Sequence, residues 1–341
     1  MEFVEQHNIE ALVQLLALGK KRIIITSHTN PDADAVGSSL GLQHVLEAMG
    51  HSVSVVLPTE VPSFLHWMPK FERIVIAETH AHRAQEFIKN ADIIFSLDYS
   101  ALSRVHEVGN WIGASKAFKV MIDHHLDPQP FADAHYWRTS ASSASELVYE
   151  LLVQLNYIQY MPLAGLDCLY VGILSDTGGF RYATNARLFA SVAAMIASGV
   201  DNNKLMDLVF NTYTYKRFKL LTYATSQAAD IMEDIGAAII VLTQKDHEEL
   251  DIRRGDTEGI PNFMLGIKEL KAAILVSERK DEIKFSMRSK GDFSVQSICA
   301  EYFNGGGHFN ASGGSSKLPL ADAVKLLKEI LYERLEPKKI N

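Results

Sequence analysis

Cysteine is nearly absent: Cys168 and Cys299 are the only two in 341 residues, each among apolar neighbours. Two thiols so far apart make neither a disulfide framework nor a zinc site, and they read as reduced core residues. No apolar run approaches the roughly eighteen residues of a membrane span, because Asp, Lys or Gln interrupts every long stretch. The first residues, Met1-Glu2-Phe3-Val4-Glu5-Gln6, lack the basic segment and apolar segment of a secretory leader, so a cytoplasmic protein is expected. Positive charge is in deficit, with 33 Lys and Arg against 41 Asp and Glu, a formal charge of −8. That balance argues against coating of long single-stranded or duplex nucleic acid. No Gly-x-Gly-x-x-Gly follows the first strand pattern, which sets aside a nicotinamide-dependent oxidoreductase.

What is present is an ordinary globular composition, 47% hydrophobic and 22% charged. The length exceeds one typical core and predicts two domains. In the first half, short runs rich in Ile and Val read as strands over Arg22–Ser27, Ser52–Leu57, Ile74–Ala77, Asp92–Leu97 and Phe118–Ile122. They show little alternation, as expected of strands covered on both faces. Between the first two, Val36, Leu40, Leu42, Val45, Leu46 and Met49 keep helical spacing before Gly50. The pattern predicts an α/β fold with a doubly wound, mostly parallel sheet of five strands, and ligands at the strands' carboxyl ends.

From Ser143 the periodicity turns helical, with stripes at Leu147, Leu151, Leu152, Leu155 and at Leu166, Leu169, Tyr170, Ile173, Leu174. Residues 1–200 are read as the first domain and 201–235 as a helical connector carrying Tyr213, Tyr215, Phe218, Leu220 and Leu221. Residues 236–341 are read as a smaller α+β domain. Its strands are expected over Ala237–Leu242, Ala272–Ser277 and Glu282–Arg288, with a hairpin across Glu278–Asp281 and a terminal helix over Ala321–Leu335.

Chemistry gathers where the strand patterns end. Thr26-Ser27 runs into His28-Thr29-Asn30-Pro31-Asp32-Ala33-Asp34, three metal-ligand side chains on one turn, with Ala33 spacing the two carboxylates. Asp34 also precedes a helix and could be a plain N-cap. Asp98 is the first carboxylate past Ile93–Leu97, and Asp123-His124-His125 closes the next strand. Adjacent histidines do not easily share one ion, so one is read as a ligand and the other as facing substrate. Asp176 ends a helical stripe before Thr177-Gly178-Gly179, and a negative charge at a helix C-terminus calls for a compensating cation. Imidazole and carboxylate without thiolate favour two Mn²⁺, with Mg²⁺, Co²⁺ or Fe²⁺ admissible. Two divalent ions sharing a carboxylate make water nucleophilic at neutral pH and clamp both oxygens of a phosphoryl transfer. In the second domain Arg288 can grip a phosphate bidentately. The run Asn304-Gly305-Gly306-Gly307-His308-Phe309-Asn310-Ala311-Ser312-Gly313-Gly314 suggests a backbone turn for an anion, the alternative being a tight turn before a helix.

With these residues the chain resembles the DHH-family phosphoesterases that carry a DHHA1 domain, and within them the nanoRNase and 3′,5′-bisphosphoadenosine (pAp) phosphatase branch. Four N-terminal motifs carry the likeness: His28-x3-Asp32-x-Asp34, Asp98, Asp123-His124-His125 and Ser175-Asp176-Thr177-Gly178. The C-terminal motif is Gly305-Gly306-Gly307-His308. The resemblance implies one Mn²⁺ on His28, Asp32 and Asp98, and a second on Asp34, Asp98, His124 and Asp176, with Asp98 bridging. It implies that Asp123 orients the imidazole and that His125 holds the scissile phosphate or protonates the leaving group. It places Arg104 on a phosphate, and Arg288, Gly306, Gly307, His308 and Ser312 on the substrate's terminal nucleotide.

The activity implied is hydrolysis of short oligoribonucleotides to mononucleotides and of pAp to AMP, with no membrane partner and homodimer formation left open. A cyclic-di-AMP or linear dinucleotide (pApA) phosphodiesterase is the nearest alternative, ahead of an exopolyphosphatase or pyrophosphatase. A nucleotide sensor without catalysis would not need both Asp34 and Asp176.

Overall fold

The computed structural model describes residues 5–211, 214–253 and 255–335. The chain divides into two compact units, Met1–Thr212 and Tyr213–Asn341. The first contains β1 (Glu5–His7), α1 (Ile9–Ala17), β2 (Arg22–Thr26), α2 (Ala33–Ala48), β3 (Ser52–Leu57), β4 (Val75–Ile76), α3 (Ala81–Lys89) and β5 (Ile93–Leu97). It continues with α4 (Glu107–Ala114), β6 (Phe118–Asp123), β7 (Ala134–Trp137), α5 (Ala144–Gln154), α6 (Leu163–Asp176), α7 (Ala186–Ala197) and α8 (Asn202–Phe210).

Among the described residues the strands form one sheet in the order β1-β7-β6-β5-β2-β3-β4. Every neighbouring pair is parallel except β1 with β7. The five expected strands are β2 to β6, and β7 and β1 extend the sheet beyond β6 to seven. Successive residues of β2 serve opposite faces, as a strand requires. Ile23 and Ile25 join a core with Leu40 of α2, Leu147 of α5 and Leu169 of α6. Ile24 packs with Ile88 of α3 and Ile112 of α4. From β2 the chain moves outward to β3 and β4, then returns to place β5 on the other side of β2. The carboxyl ends of β2 and β5 therefore flank the switch point where open α/β sheets bind ligands.

Helix α2 is buried from Ala33 to Leu46 and lies directly against α6. Glycine makes that contact possible. A Cβ on Gly37 would come within 2.5 Å of the Cys168 carbonyl oxygen, and one on Gly172 within 2.6 Å of Asp34 Oδ1.

The stretch read as one helical connector is divided instead. Leu205 of α8 belongs to the first unit's core. The second unit opens with α9 (Tyr215–Ser226), whose Leu220 and Ala224 are buried in its own core, and continues directly into a strand. Tyr213 lies outside the described residues. After α9 come β8 (Ala229–Met232), β9 (Ala237–Leu242), α10 (Gln244–Glu249), α11 (Ile260–Met264), β10 (Ala272–Glu278), β11 (Ile283–Ser289), α12 (Val295–Tyr302), β12 (Gly306–His308), β13 (Ala311–Ser316) and α13 (Leu320–Arg334). The sheet order is β12-β13-β11-β10-β9-β8, parallel only between β9 and β10. Helices cover both faces: Ile298 of α12 and Leu327 of α13 on one, Leu220 of α9 and Met264 of α11 on the other. Cys168 and Cys299 are buried free thiols.

Candidate active site

Two histidines and four aspartates from four separate segments meet at the carboxyl end of the first sheet. Asp32 is the N-cap of α2, its Oδ1 accepting from the backbone N–H of Asp34 and of Ala35, each at 3.0 Å. The capping role considered for Asp34 thus belongs to Asp32, whose Oδ2 lies 3.9 Å from His28 Nε2. Asp34, inside the first turn of α2, is held by a different helix. The N–H groups of Ala144 and Ser145, opening α5, donate to its Oδ2 and Oδ1 at 2.6 and 2.9 Å. A helix N-terminus is a natural seat for a carboxylate.

Asp98 follows β5 with φ of +63°, a left-handed conformation that a short polar side chain tolerates. Its Oδ2 is 3.2 Å from His28 Nε2, and its Oδ1 is 3.4 Å from His124 Nε2 and 3.6 Å from His125 Nδ1. Asp176, the last residue of α6, puts Oδ2 3.5 Å from His124 Nε2. Within the first unit the ligand atoms form three groups, His28–Asp32–Asp98, Asp34–His124–Asp176 and Asp98–Asp123–His125, with atoms of each group within 4.8 Å of one another.

Backbone and carboxylate partners fix the tautomers. His28 Nδ1 donates to the Thr29 carbonyl at 2.8 Å and His124 Nδ1 to the Ala141 carbonyl at 3.2 Å, so each turns Nε2 toward the aspartates. His125 Nδ1 donates to Asp123 Oδ1 at 2.8 Å. Asp123 therefore orients His125, while His124 is oriented by the Ala141 carbonyl, an acceptor the sequence did not disclose. Thr29 N donates to the Arg104 carbonyl at 3.0 Å, which ties the β2 and β5 loops together and sets Arg104 in the short turn Leu102–Val105.

The charges are strained as they stand. Burial, then the charge of Asp98, pushes Asp34 up to about 7. Burial, then Asp34, raises Asp176 well above the carboxylate range. Burial opposes charge on His28, but the hydrogen bond and charge of Asp98 outweigh it and bring its pKa to about 9. Burial likewise opposes charge on His124, and Asp98 and Asp176 prevail to hold it high. Burial alone would raise Asp98; the imidazoles of His124 and His28 beside it keep it well below the usual range. Asp98 Oδ1 and Asp123 Oδ2 are buried and take up no hydrogen bond among the described residues. Crowded carboxylates, imidazoles presented through Nε2 and orphaned buried oxygens fit divalent cations, and nitrogen and oxygen donors without sulfur suit Mn²⁺ or Mg²⁺.

In the second unit the glycine run is neither a turn nor a helix approach but an edge hairpin, β12 paired with β13 in the register Gly306↔Gly313, Gly307↔Ser312 and His308↔Ala311. Arg288, next to last in β11, also pairs with Ala311, so Arg288 and His308 flank one residue of β13. A Cβ on Gly305 would collide with the Gly313 carbonyl, and Gly307 has φ of +138°. Gly306 differs: a Cβ there would meet nothing within 4 Å. Ser312 is buried, its hydroxyl donating to the His308 carbonyl at 2.7 Å, which locks the hairpin. Asn310, not singled out from sequence, closes the turn by donating to Ser289 Oγ at 2.8 Å and to the Gly291 carbonyl at 3.1 Å.

A sheet end lined with His and Asp clusters of this kind is the layout of a metal-dependent phosphoesterase. Residues 22–173 match the DHH family, N-terminal domain, and residues 222–335 match the DHHA1 domain; the chain belongs to the DHH/DHHA1 phosphoesterase family. It is 28% identical over 316 residues to the bifunctional oligoribonuclease and PAP phosphatase NrnA of Thermus thermophilus, covering 92% of this chain and 90% of that one. It is also 28% identical over 340 residues to the cyclic-di-AMP phosphodiesterase GdpP of Geobacillus thermodenitrificans, covering 96% of this chain and 49% of that protein. The crystal structure of an exopolyphosphatase-related protein from Bacteroides fragilis superposes with a TM-score of 0.91 at 36% identity, covering 98% of each chain. No helix among the described residues is long and apolar enough to cross a membrane.

Proposed function

We propose that this protein is a Mn²⁺-dependent phosphoesterase that hydrolyses short oligoribonucleotides to mononucleotides and pAp to AMP. The observation that carries the reading is the shared carboxylate of Asp98, set between His28 on one side and His124 on the other. One ion would be held by His28, Asp32 and Asp98, the other by Asp34, Asp98, His124 and Asp176. What such ions supply when bound is a water of lowered pKa and neutralised phosphoryl oxygens. The chain's own residues do the rest. Asp123 holds His125 through Nδ1, so Nε2 is the atom assigned to pass a proton to the leaving oxygen. Arg104 is assigned to a phosphate oxygen. Arg288, His308 and the half-buried backbone at Gly306 are assigned to the terminal nucleotide, and Ser312 supports them by bracing the hairpin. The likeness to NrnA, which extends over nearly the whole of both chains, supports this substrate class.

The likeness to GdpP at equal identity supports a second reading, a phosphodiesterase of cyclic di-AMP or of pApA. The deciding experiment is turnover with Mn²⁺ of pAp, an RNA dinucleotide, pApA, cyclic di-AMP and pyrophosphate. The first reading expects pAp and the RNA dinucleotide to be turned over fastest. Preferential cleavage of cyclic di-AMP replaces it with the second, and preferential cleavage of pyrophosphate removes both.

A further inference from the structure

The segment between β7 and α5, Arg138-Thr139-Ser140-Ala141-Ser142-Ser143, is rich in small polar residues yet largely buried, and a buried ion pair spans it. Arg138 is 2% exposed and Glu146 0%. Arg138 Nη2 donates to Glu146 Oε1 at 3.0 Å, and its two terminal nitrogens also grip Glu150 at 2.7 and 3.0 Å. The other oxygen of Glu146 accepts the Ser142 N–H at 2.6 Å. Ala141 N donates to the Arg138 carbonyl at 3.1 Å. The Ala141 carbonyl is thus clamped from both sides, and it is the group that takes the Nδ1 proton of His124. Three residues on, the Ala144 and Ser145 N–H groups hold Asp34.

Buried ion pairs contribute little net stability, since desolvation offsets their attraction, and apolar replacement of both partners is often tolerated. Placement of the loop is therefore the better account of this one. Its reach is selective. His124 and Asp34 belong to one ligand group, while His28 is set by its own neighbour Thr29 and Asp32 by its capping bonds within the first turn of α2.

We propose that Arg138 and Glu146 are positioning residues for one half of the metal centre, fixing Asp34 and His124 through the 138–146 loop while His28 and Asp32 stand independently of it. The proposal rests on the two-ion reading above. It is tested by titrating Mn²⁺ into metal-free protein, following the EPR signal of unbound ion, alongside the calorimetric melting temperature. Wild type is compared with the paired variant Arg138→Met/Glu146→Leu and with Glu146→Gln, whose amide oxygen can still accept from Ser142. The expected result is two ions in wild type. The paired variant keeps one at unchanged affinity and binds the other about 10- to 100-fold more weakly, with metal-free melting lowered because Glu150 loses Arg138 and is left to Arg187 at 3.7 Å. Glu146→Gln weakens the same ion by a smaller factor. Equal weakening of both ions, or two ions bound as in wild type, overturns the positioning role. If the paired variant fails to fold, unchanged affinity for both ions in Glu146→Gln overturns it alone. Wild type that binds fewer than two ions overturns the two-ion reading itself, and the positioning role with it.

Discussion

The two units build their proposed sites from opposite materials. In the first, side chains carry the chemistry and are mostly buried, and partners fix the tautomers of the imidazoles and hold the Asp34 carboxylate. In the second, a strand of glycines offers backbone at the edge of a sheet, and the buried Ser312 hydroxyl holds the hairpin shut. A site of buried charges tolerates little change without a cation to balance it. A backbone site tolerates change only where no other backbone lies close.

The largest effect expected from that contrast is at Asp98. Asp98→Asn keeps a residue suited to φ of +63° but removes the charge set between His28 and His124. Turnover with Mn²⁺ should fall by about a thousandfold or more, equivalent to about 4 kcal/mol, with circular dichroism unchanged; turnover within tenfold of wild type would dismiss the shared-carboxylate reading. Next come the glycines. Gly305→Ala drives a methyl into the Gly313 carbonyl and should lower the melting temperature of the second unit markedly, whereas Gly306→Ala faces open space and should melt like wild type while raising KM. Equal melting for the two variants would erase the distinction between a glycine required by the fold and one assigned to substrate. Arg288→Ala should raise KM for pAp about tenfold with kcat nearly constant, since an interaction made equally in ground and transition states acts on KM. Steady-state kinetics that show a kcat effect instead would move Arg288 to the reacting phosphate.

The smallest effect concerns pH. His28, at about 9 when folded, is raised above its unfolded value, so its contribution is complete below the unfolded pKa and is lost as pH rises through 9. Asp34, raised to about 7, likewise loses its contribution as pH rises through 7. The metal-free protein should therefore melt several degrees lower at pH 9 than at pH 6, and Mn²⁺ should restore more stability at the higher pH. A metal-free melting temperature that rises over this range would contradict the charge arrangement of the first unit.

The contrast also explains what the sequence disclosed. Strands β2, β5 and β6 are largely buried and read as mostly apolar runs, so the first Asp or His beyond each stands out against them. Strands β1 and β7 escaped because Glu5-Gln6-His7 is exposed and Ala134-His135-Tyr136-Trp137 is only four residues long. Arg138 and Glu146 escaped for a subtler reason. Ser143-Ala144-Ser145-Glu146 has the form of a capping box, and Ser143 does cap α5. The glutamate, however, turns to Ser142 and Arg138 rather than to the capping residue's own N–H. The glycine run misled because composition records that backbone must pass closely, not whether it passes as a turn or as a strand. Gly305 and Gly307 both report that crowding, and only coordinates separate them from Gly306.

Gly172 brings the two themes together, for its missing side chain leaves just enough room for the Asp34 carboxylate between α2 and α6. The same helices, α2 and α6, thus pack the first unit's hydrophobic core and seat its aspartate cluster. Selection for a new substrate in the laboratory should consequently leave α2 and α6 almost unaltered and accumulate its changes at positions such as Gly306, where a new side chain meets open space.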